Sequence, residues 1–158
     1  MTLTLAIMSI TIPTLAKPTW LAQIQCEITD VQYTLPYIHV KFEGSAGGPG
    51  IKGGTVEGVD DLFIDENGDA NLNVYYTVTD KDGDQISFKV TGLSVPDKSG
   101  KYIFVDAIAE VINDVDYPTT GKFFTMVGDM FDDVGFITDF SIFPPGGYIH
   151  AKLYVRPQ

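Results

Sequence analysis

The sequence predicts an all-β protein: one closed or nearly closed antiparallel barrel of about eight to ten strands. Three observations point there. Apolar residues recur at every second position, and helical spacing is nearly absent. The alternating runs are short and are separated by Gly, Pro, Asn and Asp. No stretch between them reads as a crossover helix, so consecutive strands are expected to pair antiparallel.

The elements follow in order. Residues 1–16 are mostly apolar from Leu3 to Leu15, but no Lys or Arg precedes the apolar stretch and Pro13 interrupts it. They read as an extra N-terminal strand, with a signal segment as the alternative; the stretch is too short to span a bilayer as a helix. Trp20 to Ile28 is the first strong strand. Tyr37 to Glu43 follows, with Ile38, Val40 and Phe42 on one face and Tyr37, His39, Lys41 and Glu43 on the other. The glycine-rich segment Gly44 to Gly58 comes next, and the glycines of Gly48 to Gly53 within it read as a tight turn at a barrel corner or bulge. Leu62 to Asp65 leads into Asn67-Gly68, expected as a two-residue type I′ turn, and Ala70 to Thr79 returns. Asp82-Gly83 repeats that signal before Gln85 to Thr91. Pro96 to Gly100 is a loop, and Lys101 to Val111 a strand favoured by β-branched and aromatic residues. After a loop at Tyr117 to Gly121, strands are expected over Phe123 to Phe131, Gly135 to Phe143 and Tyr148 to Val155, the last two divided by Pro144-Pro145-Gly146-Gly147.

Composition sets the limits on function. With 158 residues the chain forms one domain, residues 1–158. The net charge of −11 repels nucleic acid and anionic lipid, so neither is an expected partner. Ten Phe and eight Tyr supply an apolar core or a lined cavity. The lone cysteine, Cys26, reads as a small buried hydrophobe. A cytoplasmic location is favoured, with secretion as the alternative.

Motifs with chemical precedent reduce to turns. Gly48-Pro49-Gly50-Ile51-Lys52-Gly53 spells the dinucleotide-binding pattern, but no helix follows to hold a pyrophosphate. Asp65, Asn67, Asp69 and Asn71 alternate like a calcium loop, yet the sixth and twelfth positions are Ala70 and Tyr76 instead of Gly and Glu. Asp80, Asp82 and Asp84 fail in the same way. No His or Cys spacing suits a zinc site, and no metal or other cofactor is expected.

The candidate site residues therefore rest on strand faces. Lys101 to Val111 has one apolar face of Ile103, Val105, Ala107, Ala109 and Val111, and a mixed face of Tyr102, Phe104, Asp106, Ile108 and Glu110. If the mixed face turns inward, Asp106 and Glu110 are carboxylates in an apolar cavity, suited to general acid or base work; otherwise they are rim groups in water. Tyr76 and Tyr102 are candidate hydrogen-bond donors. His39 and His150 are candidate proton carriers if their faces point inward. Phe104, Phe123, Phe124, Met126 and Phe131 are the candidate substrate lining.

From Gly53-Gly54-Thr55-Val56-Glu57-Gly58 onward the chain resembles a calycin-like family of domains of unknown function, small β-barrels from bacteria and fungi. Asn67-Gly68, the hairpin Tyr76-Thr77-Val78-Thr79-Asp80-Lys81-Asp82-Gly83, Gly92, the run Tyr102-Ile103-Phe104 and Leu153-Tyr154-Val155 carry the rest of the likeness. Tyr75 stands where the family usually has Arg, and Phe123-Phe124-Thr125-Met126-Val127 replaces a more polar run. The resemblance implies a lipocalin-like barrel with an inner cavity. Some fungal relatives of this general shape belong to polyketide pathways. The expected function is a cofactor-free cyclase or isomerase acting on a hydrophobic, polyketide-like metabolite of secondary metabolism. A non-catalytic small-molecule binding protein is the first alternative, and a lactonising enzyme or hydrolase the second. Apolar stripes leave room for a homodimer.

Overall fold

The computed structural model of the chain describes residues 19–98, 102–132 and 147–157. Eight strands build one antiparallel sheet: β1 (Thr19–Thr34), β2 (Tyr37–Gly47), β3 (Gly54–Ile64), β4 (Ala70–Thr79), β5 (Gln85–Pro96), β6 (Tyr102–Ile112), β7 (Met126–Asp132) and β8 (Tyr148–Pro157). One 3-10 turn, Gly121–Phe123, precedes β7. The strand order is β6-β5-β4-β3-β2-β1-β8-β7. The sheet curls until β6 lies against β7, so its two edges meet in a barrel-like shape. No helix among the described residues is long and apolar enough to cross a membrane.

The period-two pattern explains the core. Ala22, Ile24, Cys26 and Ile28 of β1, Ile38, Val40 and Phe42 of β2, and Val78, Phe88 and Leu153 of the strands beyond are all buried on the concave side. They form two adjoining clusters, one around Phe42, Tyr76 and Phe88, the other around Ile28, Val40, Leu62 and Leu72. Val74, Phe104, Ala107 and Ile149, each only half-buried, touch both. Burying such side chains stabilises the fold by about 1.5–3 kcal/mol each.

The bend expected at Gly48 to Gly53 is the six-residue connection between β2 and β3, while the glycine-rich residues on either side are strand, since β2 runs to Gly47 and β3 starts at Gly54. Those glycines do not end the strands because the flanking Ala46, Val56 and Leu62 bury their side chains. Several expectations change. The hairpin turns are not type I′. Gly68 N–H donates to the Asp65 carbonyl at 3.0 Å and Asp65 N–H to the Asp69 carbonyl at 3.0 Å, with Gly68 at φ 83°. This is a three-residue loop in which glycine alone takes the left-handed position. The Asp80–Asp84 turn repeats it, with Gly83 at φ 87°. The leading aspartate fixes each turn: Asp65 Oδ1 accepts the N–H groups of Asn67 and Asp69, and Asp80 Oδ1 those of Asp82 and Asp84. Asp80 also receives the Lys122 ammonium, which ties the 3-10 turn to the β4–β5 hairpin. Phe123 belongs to that turn rather than to a strand. The expected strand Gly135 to Phe143 and the N-terminal segment 1–16 lie outside the described residues.

The loop from Asn113 to Thr120 is fastened by hydroxyls to the outer face of β4 and β5. Ser87 Oγ donates to the Pro118 carbonyl at 2.6 Å and lies 2.8 Å from the Thr77 hydroxyl. Thr119 Oγ1 donates to the Ile112 carbonyl and accepts the Ser87 N–H.

Strand register also places like charges side by side. Glu27 pairs with Glu43 across β1 and β2, and Glu43 with Glu57 across β2 and β3, all on the outer face. Like charges directly opposite destabilise a sheet. Glu43→Lys turns both repulsive pairs attractive and is expected to raise stability by roughly 1 kcal/mol at low salt. Thermal melts with and without added salt check it: the gain shrinks as screening increases.

Candidate functional site

The concave face of β3 carries Val56, Gly58, Asp60 and Leu62 at period two, and Asp60 is the charged member of that stripe. Its exposure is 7%. Its cross-strand neighbours are Val40 on β2 and Val74 on β4, both apolar. The β3–β4 ladder runs to Asp60↔Val74 and resumes at Phe63↔Asn71. In the gap, Asp60 Oδ1 accepts the Asn73 N–H at 3.1 Å, so the carboxyl takes over a main-chain donor. No ion pair reaches Asp60 among the described residues. Burial pushes its pKa up to about 7, against the pull of the Asn73 N–H, and the neighbouring Asp61 charge adds to the rise. A carboxyl held there exchanges protons near neutral pH.

Tyr76 is another buried residue with a polar group on the concave face. It pairs with Gly58, where a Cβ would lie 2.4 Å from the Phe42 ring and 2.6 Å from the Tyr76 Cβ; the absent side chain is what admits Phe42. The Tyr76 ring stacks on Phe88 at 5.1 Å and meets Phe42 at 6.4 Å. Its hydroxyl is buried and has no hydrogen-bond partner among the described residues. Burial, then the nearby Cys26, holds the phenol well above its ordinary pKa, so it is a neutral donor. Burial likewise pushes the Cys26 thiol up to about 12, which leaves it protonated and a poor nucleophile.

Asp60 and Tyr76 are diagonal neighbours across β3 and β4 but belong to different surroundings. Tyr76 sits in the larger cluster with Cys26 and Phe88, while Asp60 lies beside Val40 and Leu62 of the smaller one.

The predicted site residues scatter. Asp106 and Glu110 are exposed on the outside. The cause is a bulge: Leu93 pairs with Val105 and Thr91 with Ile108, so Asp106 and Ala107 together face Gly92, and Asp106 takes φ 53°. The bulge swaps the faces of β6 halfway along. Phe104 packs on both core clusters before it, Ala107, Ala109 and Val111 after it, so neither of the two continuous faces expected for this strand exists. Tyr102 is buried at the start of β6, opposite Pro96. His39 is half-buried on the outer face, its Nδ1 2.6 Å from Asp61 Oδ1. His150, also half-buried, has its ring tilted against that of the exposed Tyr148, centroids 4.8 Å apart. Phe123 is buried in the core, Met126 is half-buried against it, and Phe124 is 64% exposed to solvent. Phe131 lies on β7 opposite Lys152. No cluster of His, Cys, Asp or Glu suited to a metal ion is present among the described residues.

Sequence reasoning missed Asp60. Its signal is the alternation Val56-x-Gly58-x-Asp60-x-Leu62, masked because Gly58 and Asp60 interrupt the apolar positions of that stripe.

A curled antiparallel sheet with one carboxyl sunk in its apolar concave face defines the chain as a small barrel-like all-β protein. It belongs to the family described as "Protein of unknown function (DUF3237)", whose model matches residues 15–131. No curated protein matches the chain. Its fold is similar to the crystal structure of a conserved protein of unknown function, RPA1785, from Rhodopseudomonas palustris: 15% identity, TM-score 0.60, covering 92% of this chain and 99% of that one.

Proposed function

We propose that this protein is a cofactor-free enzyme that cyclises or isomerises a hydrophobic small molecule on the concave face of its sheet, with Asp60 as the group that moves the proton. What supports the reading is the placement of Asp60: an ionisable side chain deep in an apolar surface, paired with no cation among the described residues. A binding protein for apolar molecules gains nothing from such a group, whose burial costs stability. An acid–base catalyst needs it, and needs its pKa near the working pH. Asp60 takes a proton from one atom of the substrate and returns it to another, so the step is balanced without a co-reactant. Half-buried Val74, Phe104, Ala107 and Ile149 are the apolar surface that holds the reacting ends together and lowers the entropic barrier. A calycin-like lumen and a polyketide-like substrate fit the same picture.

The test compares wild type and Asp60→Asn with small molecules extracted from the source organism. Chromatography with mass detection follows new compounds isobaric with their precursors, since cyclisation and isomerisation leave the mass unchanged. Asp60→Asn is expected to bind the same precursor and to convert it about 10²–10⁴-fold more slowly. A precursor that binds and is never converted supports the carrier reading instead. Conversion undiminished in Asp60→Asn removes that carboxyl from the chemistry.

A further inference from the structure

On the outer face of the sheet, directly behind the concave site, His39 and Asp61 face each other across β2 and β3 with Nδ1 and Oδ1 2.6 Å apart. Asp61 follows Asp60 in the chain, so the two carboxyls leave one strand on opposite sides. The β3–β4 ladder breaks at this point: the N–H of Asn73, which register would place opposite Asp61, goes to the Asp60 carboxyl. Thus the charge of Asp61 sits one residue from the buried carboxyl, with no ladder hydrogen bond between β3 and β4 at its own position.

We propose that the His39–Asp61 pair is a positioning element for Asp60. The imidazole holds the Asp61 carboxylate on the outer face and offsets its charge, and so sets how readily Asp60 gives up its proton. The inference rests on the reading of Asp60 as the proton-moving group. Other groups around the pair do not replace it. β1 presents Gln32 opposite His39, and its amide is engaged by Asp30. On β2 the same face carries Tyr37 and Lys41, one step to either side of His39. β4 presents Tyr75 and Asn73, and the loop beyond β6 brings Tyr117, whose phenol ring lies 5.1 Å from that of Tyr75 and is within reach of the Asp61 charge. On the inner side, the cross-strand neighbours of Asp60 are the uncharged Val40 and Val74. Asp61 is the nearest charge to Asp60 in sequence, and His39 is the cation-forming group in contact with it.

The experiment is a carbon-13 NMR titration of aspartate carboxyls, with the Asp60 signal assigned by its loss in Asp60→Asn. Asp61→Asn removes the neighbouring negative charge and is expected to lower the Asp60 midpoint by about half a pH unit. His39→Gln leaves Asp61 unbalanced and is expected to raise that midpoint by a smaller amount. In His39→Gln/Asp61→Asn the midpoint should match that of Asp61→Asn alone, because the imidazole acts only through Asp61. A general loosening of the sheet would move both single variants in one direction. Equal directions, or an effect of His39→Gln that persists without Asp61, overturn the inference. A wild-type Asp60 midpoint in the ordinary carboxylate range near 4 overturns the proposed role of Asp60 itself.

Discussion

Above pH 8, Asp60→Asn is expected to be more stable than the wild type, and below about pH 5 the advantage should vanish or reverse. The sign follows from linkage. The Asp60 pKa is raised in the folded protein, to about 7 from the ordinary 3.8. Between those values the folded state binds more protons than the unfolded state, so stability falls as pH rises through that window. A rise of about three units corresponds to roughly 4 kcal/mol lost by the wild type once the pH exceeds 7. Asparagine keeps the shape and an oxygen for the Asn73 N–H, but its NH₂ group enters apolar surroundings without an evident partner, which costs about 1–3 kcal/mol. A net gain of roughly 1–3 kcal/mol at pH 8 remains. Denaturant melts of both proteins from pH 4 to 9 read it directly. A difference that stays constant across that range would mean that Asp60 titrates like a free aspartate.

Asp80 acts in the opposite sense and supplies the acid arm of the profile. The Lys122 ammonium, with the N–H groups of Asp82 and Asp84, holds its pKa below the ordinary carboxylate value against the counter-effect of burial. A depressed carboxyl stabilises the fold above its unfolded pKa, and that contribution is lost as pH falls through its folded value. The wild type should therefore be most stable in mildly acidic solution, between the two transitions. Replacing Asp60 removes only the upper one.

These two carboxyls also mark the boundary of what the sequence reveals. Asp80 opens an Asp-x-x-Gly turn, a local pattern whose turn hydrogen bonds close within five residues, and such patterns are legible. The sequence locates the hairpins around Gly68 and Gly83 but not their turn type, because one hydrogen bond decides between a two-residue and a three-residue loop. The strands that begin at Tyr37, Ala70 and Gln85 are legible from their period-two alternation. Asp60 depends on non-local facts: that a glycine-bearing segment is a strand, and which side of it faces the core. On β6 the alternation itself misled, because one residue at φ 53° reversed the faces and put Asp106 in water. A register shift of this kind leaves composition and periodicity untouched. The His39–Asp61 contact joins residues 22 positions apart and is visible only once β2 and β3 are aligned.

Tyr76→Phe is expected to stabilise the protein by about 1 kcal/mol or more, at every pH between 4 and 8. The hydroxyl is buried without a partner among the described residues, a state that costs roughly 1–3 kcal/mol relative to a satisfied group. Phenylalanine keeps the stack on Phe88 and the contact with Phe42 and leaves only a small void. For a domain of this size the gain appears as a rise in Tm of about 2–4 °C per kcal/mol. The phenol is neutral throughout that pH range, so the gain must not vary with pH, in contrast to that of Asp60→Asn. Comparing the two variants therefore separates two kinds of buried polar group. If Tyr76→Phe gains stability and keeps full turnover, the hydroxyl is a passive cost of the core and Asp60 alone carries the chemistry. If it gains stability and loses turnover, the unsatisfied donor is held for the substrate, because natural proteins keep such costs where activity needs them. A loss of stability would show that the hydroxyl has a partner after all, such as a buried water bridging it to a neighbouring polar group.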